Sequence, residues 1–136
     1  MPTGVKDTDR TRFAIIGIIA QMPEKGVEAI SNSRFAEEIQ KIKTRHPELL
    51  AALVFSTQTS TPWSEFLDHI LFCLGASGSL HRSPIDRRWY LGKNFRSEYG
   101  ELFARYITKK ELAIIEKEGR KLAERIAEGE LAPMNP

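Results

Sequence analysis

Imidazole and thiol groups are scarce in this chain. His46, His69, His81 and Cys73 are the only ones among its 136 residues. His69 and Cys73 stand four residues apart, one helical turn, a spacing at which two side chains could share a metal or act as base and nucleophile. No second Cys/His pair accompanies them, and no glycine-rich phosphate loop occurs. Asp68 adjoins His69 but projects from another side of a helix, so it completes no triad. At the edge of an apolar stripe, Cys73 reads as a small buried thiol beside a boundary histidine. Glu37-Glu38 reads as a solvated helix face rather than an acid/base pair. The expectation is a protein without catalytic residues, metal or cofactor.

The cations carry more information than the catalytic inventory. Twenty Lys+Arg against eighteen Asp+Glu leave +2, too little to mark a nucleic-acid binder by net charge, so placement must decide. Arg82, Arg87, Arg88, Lys93 and Arg96 face a single acid, Asp86, which gives a local +4 with Trp89 and Tyr90 interleaved. Cations on a projecting hairpin contact phosphates, arginine also reads guanine edges, and aromatics stack on bases or anchor the hairpin to a core. The competing expectation is that these arginines only guard a short edge strand against pairing with other chains.

The elements that must position these groups follow from hydropathy. Residues 9–21 carry Phe13, Ile15, Ile16, Ile18 and Ile19 behind Asp9 as cap, apolar all round, and are read as a central helix; four isoleucines also suit a buried strand. Pro23 to Ser31 reads as a break. Phe35, Ile39 and Ile42 make an amphipathic helix of residues 33–44. Pro47 opens a short helix carrying Leu49, Leu50, Leu53 and Val54. Thr61 and Pro62 then serve as cap and first residue of a helix with Trp63, Phe66, Leu67, Ile70, Leu71 and Leu74 on its stripe, closed by Gly75. Gly78 to Arg82 and Arg88 to Leu91 flank the turn-forming Ser83-Pro84-Ile85-Asp86 and predict a β-hairpin. Phe95 to Tyr106 forms another helical stripe. Thr108-x-x-Glu111 fits a capping box that opens a last helix ending before Gly129, with Leu112, Ile115, Leu122 and Ile126 on one side.

This order resembles a winged-helix domain. The residues that carry the resemblance are Phe66-x3-Ile70-x3-Leu74-Gly75-x2-Gly78-x-Leu80, then the turn, Arg87-Arg-Trp-Tyr-Leu and a long C-terminal helix. Regulators of the PadR kind, and antitoxin domains on related helical cores, are similar over roughly residues 10–126. The resemblance implies that 62–74 is a recognition helix, that the hairpin is the wing, and that the last helix supports dimerisation. One feature departs from it: the outward side of 62–74, with Ser64, Glu65, Asp68, Phe72 and His69, has no Lys or Arg, which argues against insertion among phosphates.

The reading is therefore a mainly α, compact helical domain with one β-hairpin in winged-helix-like order. Residues 1–8 are expected to be a flexible N-terminus, 9–129 a single helical domain with its hairpin near 78–92, and 130–136 a flexible tail. Its expected role is a non-enzymatic, nucleic-acid-binding regulatory protein. DNA or RNA would be contacted through Arg82, Arg87, Arg88, Lys93 and Arg96, with Lys109 and Lys110 as further backbone contacts. The alternative is a protein-interaction adaptor, an antitoxin-like inhibitor or a small subunit of a larger assembly, anchored by Phe72, Trp89 or Ile114. Ile114 lies off the Leu112–Ile126 side, so two apolar sides would allow a homodimer through the C-terminal helix. With one cysteine no internal disulfide forms, and the longest uncharged apolar run, Phe13 to Ala20, is far short of the ~20 residues that span a bilayer. A cytoplasmic address with neither signal peptide nor membrane contact is expected.

Overall fold

A helix whose residues 13–19 have no polar side has to be surrounded along that half, and the rest of the chain wraps it. In the computed structural model, which describes residues 6–56, 62–92 and 95–128, this helix is α1 (Asp7–Ile19), and Ile15, Ile18 and Ile19 are fully buried. It begins two residues earlier than expected. Lys6 is the N-cap, and Asp9 lies inside the first turn, 3.5 Å from Arg12, rather than capping the helix. After a 3₁₀ turn (Pro23–Lys25) come β1 (Ala29–Ile30), α2 (Asn32–Arg45), α3 (Glu65–Ala76), β2 (Leu80–Arg82), β3 (Trp89–Leu91), α4 (Phe95–Tyr106) and α5 (Lys109–Ala127). The mainly helical class with a β-hairpin is as the sequence indicates.

The hairpin has a third strand. The antiparallel sheet runs β1-β3-β2, with Ile30 opposite Trp89 on one side and Arg82 opposite Trp89 on the other. β1 falls in the stretch read as a break, because two residues offer no alternation to detect.

α5 runs alongside α1, close-packed at two glycines. A methyl group on Gly17 would lie 2.6 Å from Ile115, and one on Gly119 would lie 3.1 Å from the Ile18 carbonyl. The predicted capping box at its start is complete: Thr108 accepts from the Glu111 N–H and Glu111 accepts from the Thr108 N–H. α4 packs on α1 through Phe103 and Tyr106, both against Phe13. Its other end is held where the Tyr99 and Ser79 hydroxyls meet at 2.7 Å.

Three local expectations are corrected. Residues 47–52 form turns, not a helix; Leu49, Leu50 and Leu53 are still buried, and the Ala52 N–H donates to the Thr11 hydroxyl, a bond that replaces a helical one. The cap of α3 is Ser64, whose hydroxyl accepts from the Leu67 N–H, because the Ser56 N–H bonded to the Trp63 carbonyl holds that residue extended. Thr61 lies outside the described residues. Gly75 does not end α3, which continues through Ala76; the left-handed residue is Gly78, at φ 86°. What Gly75 supplies is room, since a methyl there would sit 2.7 Å from the Trp89 ring.

Candidate nucleic-acid interface

The hairpin tip is fixed by its own polar side chains. The Arg87 N–H donates to the Ser83 carbonyl and the Ser83 N–H to the Arg88 carbonyl. The Ser83 hydroxyl accepts from the Ile85 N–H, and Asp86 Oδ1 accepts from the Arg88 N–H at 3.0 Å. Turns closed by Ser and Asp in this way need no glycine, yet one residue still turns left-handed, Arg87 at φ 61°. Such a conformation costs a non-glycine residue about 1–2 kcal/mol, and here it falls on the arginine that ends the turn.

Positive charge is in excess at the tip, where Arg82, Arg87 and Arg88 stand against Asp86. Asp86 Oδ2 accepts from the Tyr90 hydroxyl, so both oxygens of the only carboxylate between His81 and Leu91 are engaged. The Tyr90 hydroxyl, followed by the Arg88 N–H, holds the Asp86 carboxyl below the usual carboxylate range, and the same bond raises the Tyr90 phenol. Arg82 and Arg87 are exposed and make no ion pair among the described residues. The Arg82 guanidinium lies 5.4 Å from the centroid of the Trp89 ring, a cation–π contact that steadies it.

Not every cation singled out from the sequence joins them. Arg88 is half-buried beside Asp86, and Lys93 and the Arg96 side chain lie outside the described residues. Lys109 and Lys110 are exposed at the start of α5, beyond the far end of α4, whose twelve residues rise about 18 Å from the hairpin base. They form a second basic point, not an extension of the hairpin.

Of the three partner anchors, only Phe72 is free, at 68% exposure. Trp89 is a core residue, and its burial corrects its assignment to an interface. Its indole N–H donates to Asn32 Oδ1 at 2.9 Å. Ile114 is half-buried and packs against the core, while α5 turns Ala113, Lys117, Arg120, Lys121 and Glu124 to solvent, so its second apolar side is absent. The outward face of α3 carries Glu65, Asp68, His69, Phe72 and Cys73 without a cation; Ser64, expected on that face, is buried. Beside it an open groove of about 560 Å³ is lined by Val54, Trp63, Phe66 and His69. Cys73 is exposed, not buried as expected.

A polar cluster went unread in the sequence. Glu38 and Glu118 are buried between α2 and α5, where Glu118 receives both Arg45 Nη2 (2.8 Å) and Nε (3.1 Å) and lies 2.9 Å from His46 Nε2. Glu38 pairs with Lys41 and Arg125. The signal was present. Glu38 falls three after Phe35 and Glu118 three after Ile115, each on an apolar stripe. This cluster joins two helices and uses His46 structurally. Among the described residues no group of three or more His, Cys, Asp or Glu could hold a metal, and no helix is long and apolar enough to cross a membrane.

Comparison with protein-family models, curated proteins and solved structures finds no match to this chain.

Arg87 allows stability and binding to be separated. Arg87→Gly is expected to raise stability by about 0.5–1 kcal/mol, the relieved strain less the extra freedom glycine gives the unfolded chain. Urea denaturation reads this gain, and a loss of stability would show that the Arg87 side chain, not its backbone, holds the turn.

Proposed function

We propose that this chain is a non-enzymatic, nucleic-acid-binding regulatory protein whose hairpin acts as a winged-helix wing and grips the phosphate backbone. The observation that carries this reading is the tip: Arg82 ends β2 and Arg87 belongs to the turn that follows, closed by four hydrogen bonds, while the one nearby carboxylate is occupied by Tyr90 and the Arg88 N–H. A cation held by a rigid turn loses little freedom on meeting a phosphate, so more of the contact energy remains for binding. The cation-free α3 is not the reader in this arrangement. Phosphate contact by the hairpin comes first, with Lys109 and Lys110 as a separate backbone contact.

The test is fluorescence anisotropy of labelled duplex DNA, single-stranded DNA and RNA across a salt series, with wild type and Arg82→Ala/Arg87→Ala. Each phosphate contact adds about 0.9 to the steepness of the log affinity against log salt plot, so the double variant should flatten it by roughly 2. Affinity at low salt should fall about tenfold or more. No saturable binding at low salt would sink the proposal. The second reading, a protein-interaction module, rests on exposed Phe72 with Trp63 and Val54 at the neighbouring groove. It requires binding of a protein partner that Phe72→Ala abolishes and the hairpin variant does not touch.

A further inference from the structure

We propose that His69 and Cys73 are half of a zinc site which a second copy of this chain completes, making α3 a metal-bridged dimer interface. The inference is independent of nucleic-acid binding by the hairpin.

The first support is geometric. His69 Nε2 and Cys73 Sγ, both on the exposed face of α3, are 3.5 Å apart. Two ligands of one tetrahedral zinc, with Zn–S about 2.3 Å and Zn–N about 2.0–2.1 Å at roughly 109°, stand about 3.5–3.6 Å from each other. The pair already spans one edge of that tetrahedron, and the helical i, i+4 spacing keeps it there.

The second support is what the single chain lacks. No third donor gathers with the pair among the described residues, and two ligands do not make a structural zinc site, which takes four. A two-fold axis through the metal, perpendicular to α3, repeats His69 and Cys73 and gives a Cys₂His₂ set, the isologous solution a homodimer offers. The helices then run antiparallel, so the acidic first turns, with Glu65 and Asp68, lie at opposite ends of the contact.

The third support is the surroundings. Phe72 lies between the two ligands in sequence and is 68% exposed, an apolar side chain that the second copy would cover. Each Cys73 gives up its thiol proton to solvent on binding, so two protons leave per zinc. Two thiolates and two neutral imidazoles then balance the dication, and the buried site carries no net charge.

The test uses the full chain, with stoichiometry and mass measured together as zinc is titrated in a non-chelating reductant. The expected result is one zinc per two chains, a dimer whose dissociation constant falls at least about tenfold with zinc, and its reversal by chelator. Cobalt substitution should give the absorption of tetrahedral thiolate coordination. His69→Ala and Cys73→Ser, both at exposed positions, should abolish dimer and spectrum alike; His69→Cys, which keeps a zinc donor, should retain the dimer with a tetrahedral spectrum of stronger thiolate absorption, and His81→Ala should change nothing. One zinc per monomeric chain, zinc binding that survives Cys73→Ser, or a mass that does not respond to zinc would each overturn the proposal.

Discussion

Trp89→Ala is expected to lower the free energy of unfolding by about 3–5 kcal/mol, the range for removing a buried aromatic side chain. Trp89 is 7% exposed on the central strand of the sheet, between Ile30 and Arg82 in register. Its indole N–H satisfies Asn32 at the start of α2, and its ring fills the space left by Gly75 on α3. One side chain therefore ties α2, α3 and both neighbouring strands together. Truncation opens a cavity, strands the partly buried Asn32 amide and removes the surface on which Arg82 rests. Equilibrium urea denaturation measures the loss. Trp89→Phe, which keeps a ring for Arg82 but lacks the N–H, should lose less than half as much. Equal losses in the two variants would place the energy in the Asn32 hydrogen bond instead of in packing.

The same residue shows what a sequence conceals. The hairpin, its turn and its arginines were legible because Gly78, Ser83-Pro84 and the flanking β-formers are local signals. The inward direction of Trp89 was not, since one residue's shift in strand register exchanges the two faces. A comparable ambiguity affected α3. Leu67, Ile70, Leu71 and Leu74 define its buried side, but Phe72 and Cys73 flank that stripe closely enough that a wheel cannot say whether they are covered. Helix α1 was legible by its length, its four isoleucines suiting a buried strand as well, and α5 by its capping box. The turns at 47–52 were missed because their leucines have helical spacing although the Thr11 hydroxyl takes a backbone N–H there. Glu38 and Glu118 were missed because acids on a helix are solvated by default, and only the far ends of the contact, Arg45 and Arg125, overturn that default.

Arg45→Ala should destabilise the fold at neutral pH and weaken the acid sensitivity that Glu118 gives it. The Glu118 side chain is 5% exposed, and its charge is balanced chiefly by the bidentate Arg45. Stranding a buried charge costs about 3–5 kcal/mol, but Arg45 is itself 51% exposed and His46 still meets Glu118, so a loss of about 2–3 kcal/mol is expected. The hydrogen bonds from Arg45 pull the Glu118 carboxyl below its ordinary value, against burial, which pushes it up; His46 adds to the downward pull. A carboxyl depressed in the folded state binds protons more readily in the unfolded chain, so its contribution is complete above the ordinary glutamate value. That contribution is lost as pH falls through the folded value. Without Arg45, burial prevails and the folded value rises, so protonating Glu118 no longer costs the variant stability, and its gap to wild type should narrow as pH falls. Glu118→Gln removes the titrating group, and the stability gap between wild type and this variant should narrow as pH falls. Urea midpoints from pH 7 to pH 3 decide the matter: profiles that stay parallel in all three proteins would mean that Glu118 carries no pH-dependent stability, and that the α2–α5 contact rests on its other members, Glu38 and Arg125 among them.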